Sequence, residues 1–341
     1  MRIILDALGG DNAPQAPVLG ALQAARDFGA QITLVGQGEK ILTVLRENNI
    51  ADLPDGVEIA NADEVVDMHD DPANVIRKKK NSSMVIGLRM LSEGQGDAFV
   101  SAGSTGALLS GATLIVKRVK GIRRAAMGPA MPNKAGGKTI ILDCGANAEC
   151  TPEFLLQFGL VGSLYAKQYL GIENPRVGLL NIGAEDSKGT DLQRETLALL
   201  RQAGEAGHLN FIGNIEAKEA IKGGCDVIVT DGFSGNVMLK TLEGVGSMAG
   251  SAIKGIFKKN LLTKLAALLV MPGLNEFKAM MDPNKVGGTA FIGISKPVIK
   301  AHGSSNAEAI ENAVGQAVQF ARSGIIADIE ANIDLMKIDR E

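Results

Sequence analysis

The sequence predicts a three-layer α/β/α fold, in which helices cover both faces of a mostly parallel sheet. The main observation is that short apolar runs alternate along the chain with longer segments whose apolar residues recur at helical spacing. Hydrophobic residues make up 45% of the 341 positions and charged residues 21%, which is typical of a globular chain with a substantial core. The 42 glycines exceed the usual share of about 7% and lie in short clusters, as expected where backbone approaches a ligand closely.

The first elements predict a βαβ unit. Arg2–Leu8 is a strand, Pro14–Phe28 a helix and Gln31–Val35 a second strand that stops at Gly36. The same alternation predicts strands at Ala98–Ser101, Lys138–Asp143, Arg176–Asn181, Asn210–Gly213, Asp226–Thr230 and Val298–Ala301, and helices at Thr105–Val116, Pro152–Leu170, Gly235–Ile253 and Asn306–Ser323. We therefore expect residues 1–330 to form a single α/β unit, built as one lobe or two.

The segment Lys254–Met281 interrupts this alternation. Its pattern is helical twice, with Pro272-Gly273 between the halves, which predicts a helical hairpin that departs from the main unit. The first half places four lysines beside a wide apolar face. Two interpretations are open: the apolar face packs against a second copy of the chain, or the hairpin tip lies in a membrane interface. Both hold if the helix bases pair the subunits and the tip stays exposed.

Composition excludes several classes of protein. A formal charge of −3, the absence of Trp and only 2 Tyr argue against nucleic acid as the main partner. The three cysteines form no C-x-x-C pair, so neither a zinc site nor a disulfide framework is indicated, and a reduced cytosolic compartment fits best. The first residues contain no signal-peptide apolar region, and no run of about 18 apolar residues predicts a spanning helix.

Six predicted strand ends are followed by glycine together with serine, threonine, asparagine or aspartate. Ligands bind beyond the carboxyl ends of strands in an open parallel sheet, so these loops can form one rim of donors suited to an anion. Alternatively, they are ordinary turns and helix N-caps, which favour the same residues. Ser101–Gly106 is the best phosphate candidate, because Gly103 and Gly106 allow inward-facing N–H groups and Ser104 and Thr105 begin a helix. It matches neither the Walker A motif nor G-x-G-x-x-G.

Candidates for catalysis are few. No G-x-S-x-G elbow occurs, and Cys144 is better interpreted as a buried structural thiol, because no base lies near it in sequence. His302 follows the last predicted strand, and both a structural and a functional role are open. The cluster Arg77–Lys80 is either a solvated helix end or a docking patch for an acidic partner or a substrate anion.

Eight motifs occur in an order that is more specific than any one of them. They are Asp6–Asp11, Arg77–Met84, Ser101–Ala107, Gly145–Asn147, Gly178–Gly189, Phe211–Asn214, Asp231–Lys240 and Lys300–Asn306. Together they resemble the PlsX family of bacterial phosphate acyltransferases, and the likeness runs from about residue 2 to about residue 325.

The resemblance implies a fold similar to the isocitrate and isopropylmalate dehydrogenases and the phosphate acetyltransferases. It implies that acyl-[acyl carrier protein] and inorganic phosphate give acyl phosphate and free carrier protein, with no metal and no other cofactor. It also implies a cytoplasmic homodimer that associates peripherally with the inner face of the cell membrane. There a membrane glycerol-3-phosphate acyltransferase takes up the acyl phosphate for phospholipid synthesis.

The resemblance also assigns positions to the site, with roles that are hypotheses. Lys300 or His302 neutralises phosphate or protonates the leaving thiolate, Asp231 orients one of them, and Asn236 acts beside them. The expected substrate-binding residues are Ser101, Gly103, Ser104, Thr105, Gly106, Asn147, Asn181, Lys78 and Lys79.

Three other classes compete with this interpretation. A decarboxylating dehydrogenase would share the fold, but the chain has no dinucleotide fingerprint. A phosphate acetyltransferase would use coenzyme A in place of a carrier protein. A binding module without catalysis is the third, although six polar loops exceed what one small ligand needs.

Overall fold

The computed structural model describes residues 1–67, 69–72, 74–281 and 287–336 of the chain. Its strands are β1 (Arg2–Asp6), β2 (Gln31–Gly36), β3 (Val57–Asn61), β4 (Ala98–Ser101), β5 (Ala126–Gly128), β6 (Ala130–Pro132), β7 (Lys138–Leu142), β8 (Arg176–Leu180), β9 (Asn210–Ile215), β10 (Val227–Val229), β11 (Thr289–Ile292) and β12 (Val298–Lys300). Its helices are α1 (Gln15–Phe28), α2 (Gly38–Glu47), α3 (Val75–Lys78), α4 (Ser83–Ser92), α5 (Thr105–Gly111), α6 (Pro152–Leu170), α7 (Asp191–Glu205), α8 (Ala217–Ile221), α9 (Gly232–Lys258), α10 (Leu261–Met281), α11 (Ala307–Arg322) and α12 (Ile325–Ala331). A π-helical turn, Ala112–Val116, continues α5.

The strands form two sheets. The first has the order β3-β2-β1-β4-β12-β11-β5, and the second has the order β6-β7-β10-β8-β9. In the first sheet β11 runs antiparallel to β12 and β5, and in the second β6 runs antiparallel to β7, whereas the other pairs are parallel. The carboxyl ends of β1, β4 and β12 therefore meet at one edge, and those of β7, β10 and β8 meet at another.

Both faces of each sheet are buried, which explains why the strands read as continuous apolar runs. In β1, Ile3 and Leu5 pack into the largest core cluster, and Ile4 packs into a second cluster on the opposite face. In β7, Leu142 belongs to the same large cluster, and Ile141 belongs to a third. One continuous core thus joins the two sheets, and the three-layer α/β/α prediction is confirmed.

The predicted strands and helices occur where the alternation places them, with ends that differ by a few residues. The helix predicted at Gly235–Ile253 is longer and spans Gly232–Lys258. The elements without a predicted counterpart are strands β3, β5, β6 and β11 and helices α2, α3, α4, α7, α8 and α12.

The segment 254–281 is helical, but its break is not where the sequence places it. The predicted break at Pro272-Gly273 is wrong, because α10 runs through both residues, and the break lies at Lys259 and Asn260. The backbone N–H of Asn260 donates to Thr263 Oγ1 at 3.0 Å, and the N–H of Thr263 donates to Asn260 Oδ1 at 2.9 Å. These reciprocal bonds cap the start of α10.

In the part of the chain that the structure describes, no helix combines the length and the apolar character that a crossing of the bilayer requires.

Candidate active site

Three polar residues meet at the carboxyl edge of the first sheet. Asp6, Ser101 and Lys300 end the neighbouring strands β1, β4 and β12, and Lys300 lies opposite Ser101 in the parallel register. All three are buried. Three of the six predicted polar loops thus share this edge, and the other three follow β7, β8 and β10 of the second sheet, so the prediction of a single rim is wrong.

Asp6 and Ser101 are hydrogen-bonded to each other at this edge. The Ser101 hydroxyl donates to Asp6 Oδ2 at 2.7 Å, and Ser101 Oγ accepts the N–H of Gly103 at 3.0 Å. Asp6 Oδ1 also accepts the N–H of Leu8 at 3.2 Å, and burial raises the pKa of the Asp6 carboxyl. The Ser101 hydroxyl and the Gly103 N–H therefore support the loop, and both are already hydrogen-bonded within it.

The remaining N–H donors of this loop begin at the next residue, Ser104. Ser104 occupies the N-cap position of α5, and its side chain makes no capping bond, so the N–H groups of the first helical turn face outward. The glycines serve close packing: a Cβ at Gly103 would lie 2.9 Å from Met84 Cε, and one at Gly106 would lie 2.9 Å from Pro72 Cγ.

Lys300 is a buried amine. Its Nζ donates to the carbonyl of Ala102 at 3.2 Å and to the carbonyl of Ala301, which leaves one of three N–H donors available. Burial lowers the pKa of Lys300 to about 8, against the opposing influence of the Asp11 and Asp6 charges. The ammonium group is thus close to losing its proton near neutral pH.

His302 follows Lys300 by two residues and is more exposed. Its Nδ1 lies 2.9 Å from Ser304 Oγ and accepts the N–H of Ser304 at 3.3 Å. Partial burial lowers the pKa of His302, and the nearby charges of Lys240 and Lys300 lower it further. A neutral ring that accepts at Nδ1 carries its proton on Nε2, so His302 presents an N–H donor.

Helix α9 carries three further polar residues of the motifs, and the charge of one of them, Lys240, reaches the Lys300 edge. Asp231 caps the helix, and its carboxylate accepts the N–H and the hydroxyl of Ser234, each at 2.8 Å. Asn236 packs against Gly145, where a Cβ would lie 3.6 Å from its Cγ. Lys240 follows four residues later on the same helical face and is near enough for its charge to act on Lys300 and His302.

The polar groups at the strand ends of the second sheet form hydrogen bonds with the loops around them. Asp143 accepts the N–H groups of Met127 at 2.8 Å and Asn147 at 2.6 Å. The amide of Asn147 donates to the Ala125 carbonyl at 2.8 Å, and that of Asn181 to the Lys188 carbonyl at 3.2 Å. The two amides predicted to bind substrate thus shape loops in this structure.

The thiol of Cys144, next to Asp143, is buried, and burial raises its pKa to about 12. This agrees with the interpretation of Cys144 as a structural residue.

The predicted lysines at residues 78 and 79 are the last residue of α3 and its C-cap. Lys79 Nζ lies 2.6 Å from Asp70 Oδ2 and donates to the Val65 carbonyl at 3.0 Å. Lys78 is exposed at the end of α3. The charge of Lys79 is therefore matched within its own neighbourhood.

Three charged residues of the edge were not assigned from the sequence. Asp6, Asp11 and Lys240 all lie within the recognised motifs, yet only tertiary contact shows that they surround Lys300. The sequence signals for Asp6 and Asp11 were their place in the first motif and near the end of the first apolar run.

Solved structures define the class of protein. A phosphotransacetylase from Streptococcus pyogenes superimposes with a TM-score of 0.63 at 19% identity, covering 96% of this chain and 94% of its own. A Salmonella typhimurium protein assigned as a 4-hydroxythreonine-4-phosphate dehydrogenase superimposes with a TM-score of 0.55 at 12% identity, covering 94% and 99%. The chain therefore has the fold shared by phosphotransacetylases and this type of dehydrogenase, as the motif resemblance implies.

Sequence comparison then identifies the family. A family model described as "Fatty acid synthesis protein" matches residues 1–328. The phosphate acyltransferase of Bacillus licheniformis is 43% identical over 334 residues, which cover 98% of each chain. The chain belongs to this family of phosphate acyltransferases, and the resemblance to PlsX is confirmed. It is an acyltransferase.

Proposed function

We propose that the protein transfers the acyl group of acyl-[acyl carrier protein] to inorganic phosphate and so supplies acyl phosphate for glycerol-3-phosphate acylation. The observation that carries the proposal is the buried amine of Lys300, which donates to the Ala102 carbonyl two residues before the N-cap of α5 and has its pKa lowered to about 8. An acid with a pKa near the working pH is what a thiolate leaving group requires.

The reaction needs no enzyme nucleophile, because phosphate supplies the attacking oxygen. The C–O bond to phosphate forms as the C–S bond of the thioester breaks. Hydrogen phosphate gives up its proton and the departing sulfur gains one, so the step moves one proton overall. Lys300 donates to the sulfur and regains a proton from the phosphate hydroxyl.

Phosphate is bound by groups whose N–H or O–H donors are still available. The first-turn N–H groups of α5 and the hydroxyls of Ser104 and Thr105 face an anion at the positive end of a helix. His302 Nε2–H and the ammonium of Lys300 add donors from the neighbouring strand end, and Asn236 is expected to act from α9, four residues before Lys240. These groups hold phosphate against the carbonyl carbon and stabilise the developing oxyanion.

The test is incubation with acyl-[acyl carrier protein] and phosphate, with hydroxylamine present to trap acyl phosphate as the hydroxamate. We expect hydroxamate that depends on phosphate, and acyl-coenzyme A as a weaker donor. A strong preference for acyl-coenzyme A would assign the phosphate acetyltransferase type of reaction instead. No phosphate-dependent product from either donor would refute the proposal.

The same proposal includes a homodimer that lies on the inner face of the cytoplasmic membrane, close to a glycerol-3-phosphate acyltransferase. Its support is the pair α9–α10, where Leu265, Leu268 and Leu269 are 54%, 65% and 86% exposed. Basic residues flank this apolar surface, as in helices that lie in a membrane interface. A labile amphiphilic product is best released next to the enzyme that consumes it.

We expect Leu268→Glu with Leu269→Glu to abolish sedimentation with anionic liposomes, while soluble activity and the dimer remain. Leu114→Glu, which changes another half-exposed leucine away from this segment, is the control and should keep liposome binding. Dissociation of the double variant into monomers would assign the segment to the subunit interface.

A further inference from the structure

Three loops are in contact with one another at the carboxyl edge of the first sheet. They are residues 7–14, 102–104 and 301–306, called here the β1, β4 and β12 loops. The N–H of Asp11 donates to the Gly303 carbonyl at 2.8 Å, which joins the β1 loop to the β12 loop. A Cβ at Gly9 would lie 2.8 Å from the Gly103 nitrogen, so the β1 and β4 loops are also in close contact. The position of each loop therefore depends on its neighbours.

One carboxylate lies where the β1 and β4 loops meet. A Cβ at Gly9 would come 2.5 Å from Asp6 Oδ2, and one at Gly103 would come 3.6 Å from the same oxygen. The Asp6 residue itself is only 2% exposed. Its place at the end of β1 thus puts its side chain beneath both loops.

The Asp6 carboxylate accepts hydrogen bonds from three elements. Oδ2 accepts the Ser101 hydroxyl of β4 at 2.7 Å, and Oδ1 accepts the N–H of Leu8 in the β1 loop at 3.2 Å. The N–H of Gly9 and the hydroxyl of Ser83, at the start of α4, donate to the same carboxylate. A buried carboxylate needs several such donors, and together they hold Asp6 in one orientation.

Ser101 connects this carboxylate to the β4 loop. Its hydroxyl donates to Asp6, and its Oγ accepts the N–H of Gly103 at 3.0 Å. Gly103 directly precedes Ser104, the N-cap of α5, where the proposed function places phosphate. An ionised carboxylate has no donor and repels an anion, so Asp6 acts on the phosphate site through Ser101 rather than by contact with phosphate.

Asp6 also acts on Lys300 by its charge. The charged groups that act on Lys300 or on the neighbouring His302 come from β1, its loop and α9, and they are Asp6, Asp11, Lys240 and Glu243. Burial lowers the pKa of Lys300, and the charges of Asp11 and Asp6 oppose the shift. Asp11 is exposed whereas Asp6 is buried, so solvent screens the charge of Asp6 less.

We propose that Asp6 is a positioning residue, whose carboxylate fixes the β4 loop through Ser101 and keeps a buried negative charge near Lys300. This rests on the proposed function, which assigns phosphate to the start of α5 and the transferred proton to Lys300. The two effects can be separated, because the first requires the Ser101 hydroxyl and the second requires only the charge of Asp6.

The first test removes the hydroxyl and leaves every charge in place. We expect Ser101→Ala to raise the KM for phosphate about tenfold, with the dependence of kcat on pH unchanged. Thr139→Val is the control. Thr139 of β7 is buried, accepts from Asn133 Nδ2 at 3.1 Å and donates to the Cys225 carbonyl at 3.0 Å. Its loss should leave the KM for phosphate unchanged.

The second test removes the charge and keeps one acceptor oxygen. At saturating phosphate, we expect Asp6→Asn to move the decline of kcat to lower pH. The kcat should then fall at least about twofold near pH 8 and be retained near pH 6. Asp143→Asn is the control, because Asp143 is a buried carboxylate that accepts N–H groups at the second sheet. Its pH dependence should match that of the wild type.

An unchanged KM for phosphate in folded Ser101→Ala overturns the positioning proposal, and this variant decides it if Asp6→Asn does not fold. An equal loss of kcat at every pH in Asp6→Asn, or an equal shift in Asp143→Asn, also overturns it, since the role of Asp6 would then be structural. In each of these cases the wild type still forms acyl phosphate. A wild-type protein that forms none refutes the proposed reaction, and the positioning proposal with it.

Discussion

The carboxyl ends of three neighbouring strands meet in each sheet, and their polar groups are used in different ways. In the first sheet, Lys300 keeps an available donor and a lowered pKa of about 8. In the second, the Asp143 carboxylate and the Asn181 amide are bonded to their own loops. Under the proposed function, residues of similar type serve chemistry at one edge and loop structure at the other, and the difference lies in whether hydrogen-bonding capacity remains.

The largest expected effect is on Lys300. We expect Lys300→Met to lower kcat by about 10² or more, because the proton donor to the leaving sulfur is lost. Lys296→Met is the matched control, since Lys296 lies before the same strand and donates to the Leu91 carbonyl at 2.8 Å. Near-normal turnover in a folded Lys300→Met protein would mean that the proton comes from water.

The next effect concerns the start of α5. Ser104→Ala with Thr105→Val should raise the KM for phosphate about tenfold, the equivalent of one or two lost hydrogen bonds. Gly103→Val is a poorer variant, because a Cβ there already lies 2.9 Å from Met84 Cε. Thr190→Val, at the capped start of α7 beside the second sheet, should leave the KM for phosphate unchanged. An equal rise in the α5 variant and in Thr190→Val would mean that the α5 loop does not bind phosphate.

The next effect, a severalfold change, is expected in the dependence of kcat on pH. Lys300 is protonated below its pKa of about 8, so kcat should fall as pH rises above that value. The charge of Asp11 raises the pKa of Lys300, so Asp11→Asn should move the decline to lower pH while turnover near pH 6 is retained. Asp186→Asn, which removes an exposed partner of Arg201, is the control. A profile that rises with pH would make Lys300 a base.

The smallest effect on turnover is expected at the second sheet. Asp143→Asn should lower the free energy of unfolding by about 1–3 kcal/mol in urea titration, because buried N–H groups lose their acceptor. The kcat and its pH dependence should change little. A loss of turnover as large as that of Lys300→Met would place the second sheet in the chemistry and end the contrast between the edges.

Much of the fold was predictable, because the spacing of apolar residues along the chain indicates which faces of an element are buried. Both faces of these strands are buried, so they read as continuous apolar runs. The position of the break between α9 and α10 was not predicted. It depends on the bonds by which Asn260 and Thr263 cap α10, whereas the sequence prediction followed the proline at residue 272. The predicted site is a set of positions, of which Ser101 and Lys300 lie opposite each other at one edge. The roles of Asn147 and Asn181 were not visible, since the partners of their amides are backbone carbonyls.

The sequence by itself determined the α/β class, the polar strand ends and the family, because these depend on local pattern and on motif order. The tertiary structure decided which groups at those ends retain chemical capacity. Lys300 has a lowered pKa because packing removes its water and brings the charge of Lys240 near it, while the charges of Asp11 and Asp6 oppose the shift, and all three come from distant parts of the chain. Burial and neighbouring charge are properties of three-dimensional contact, and no spacing along the chain encodes them directly.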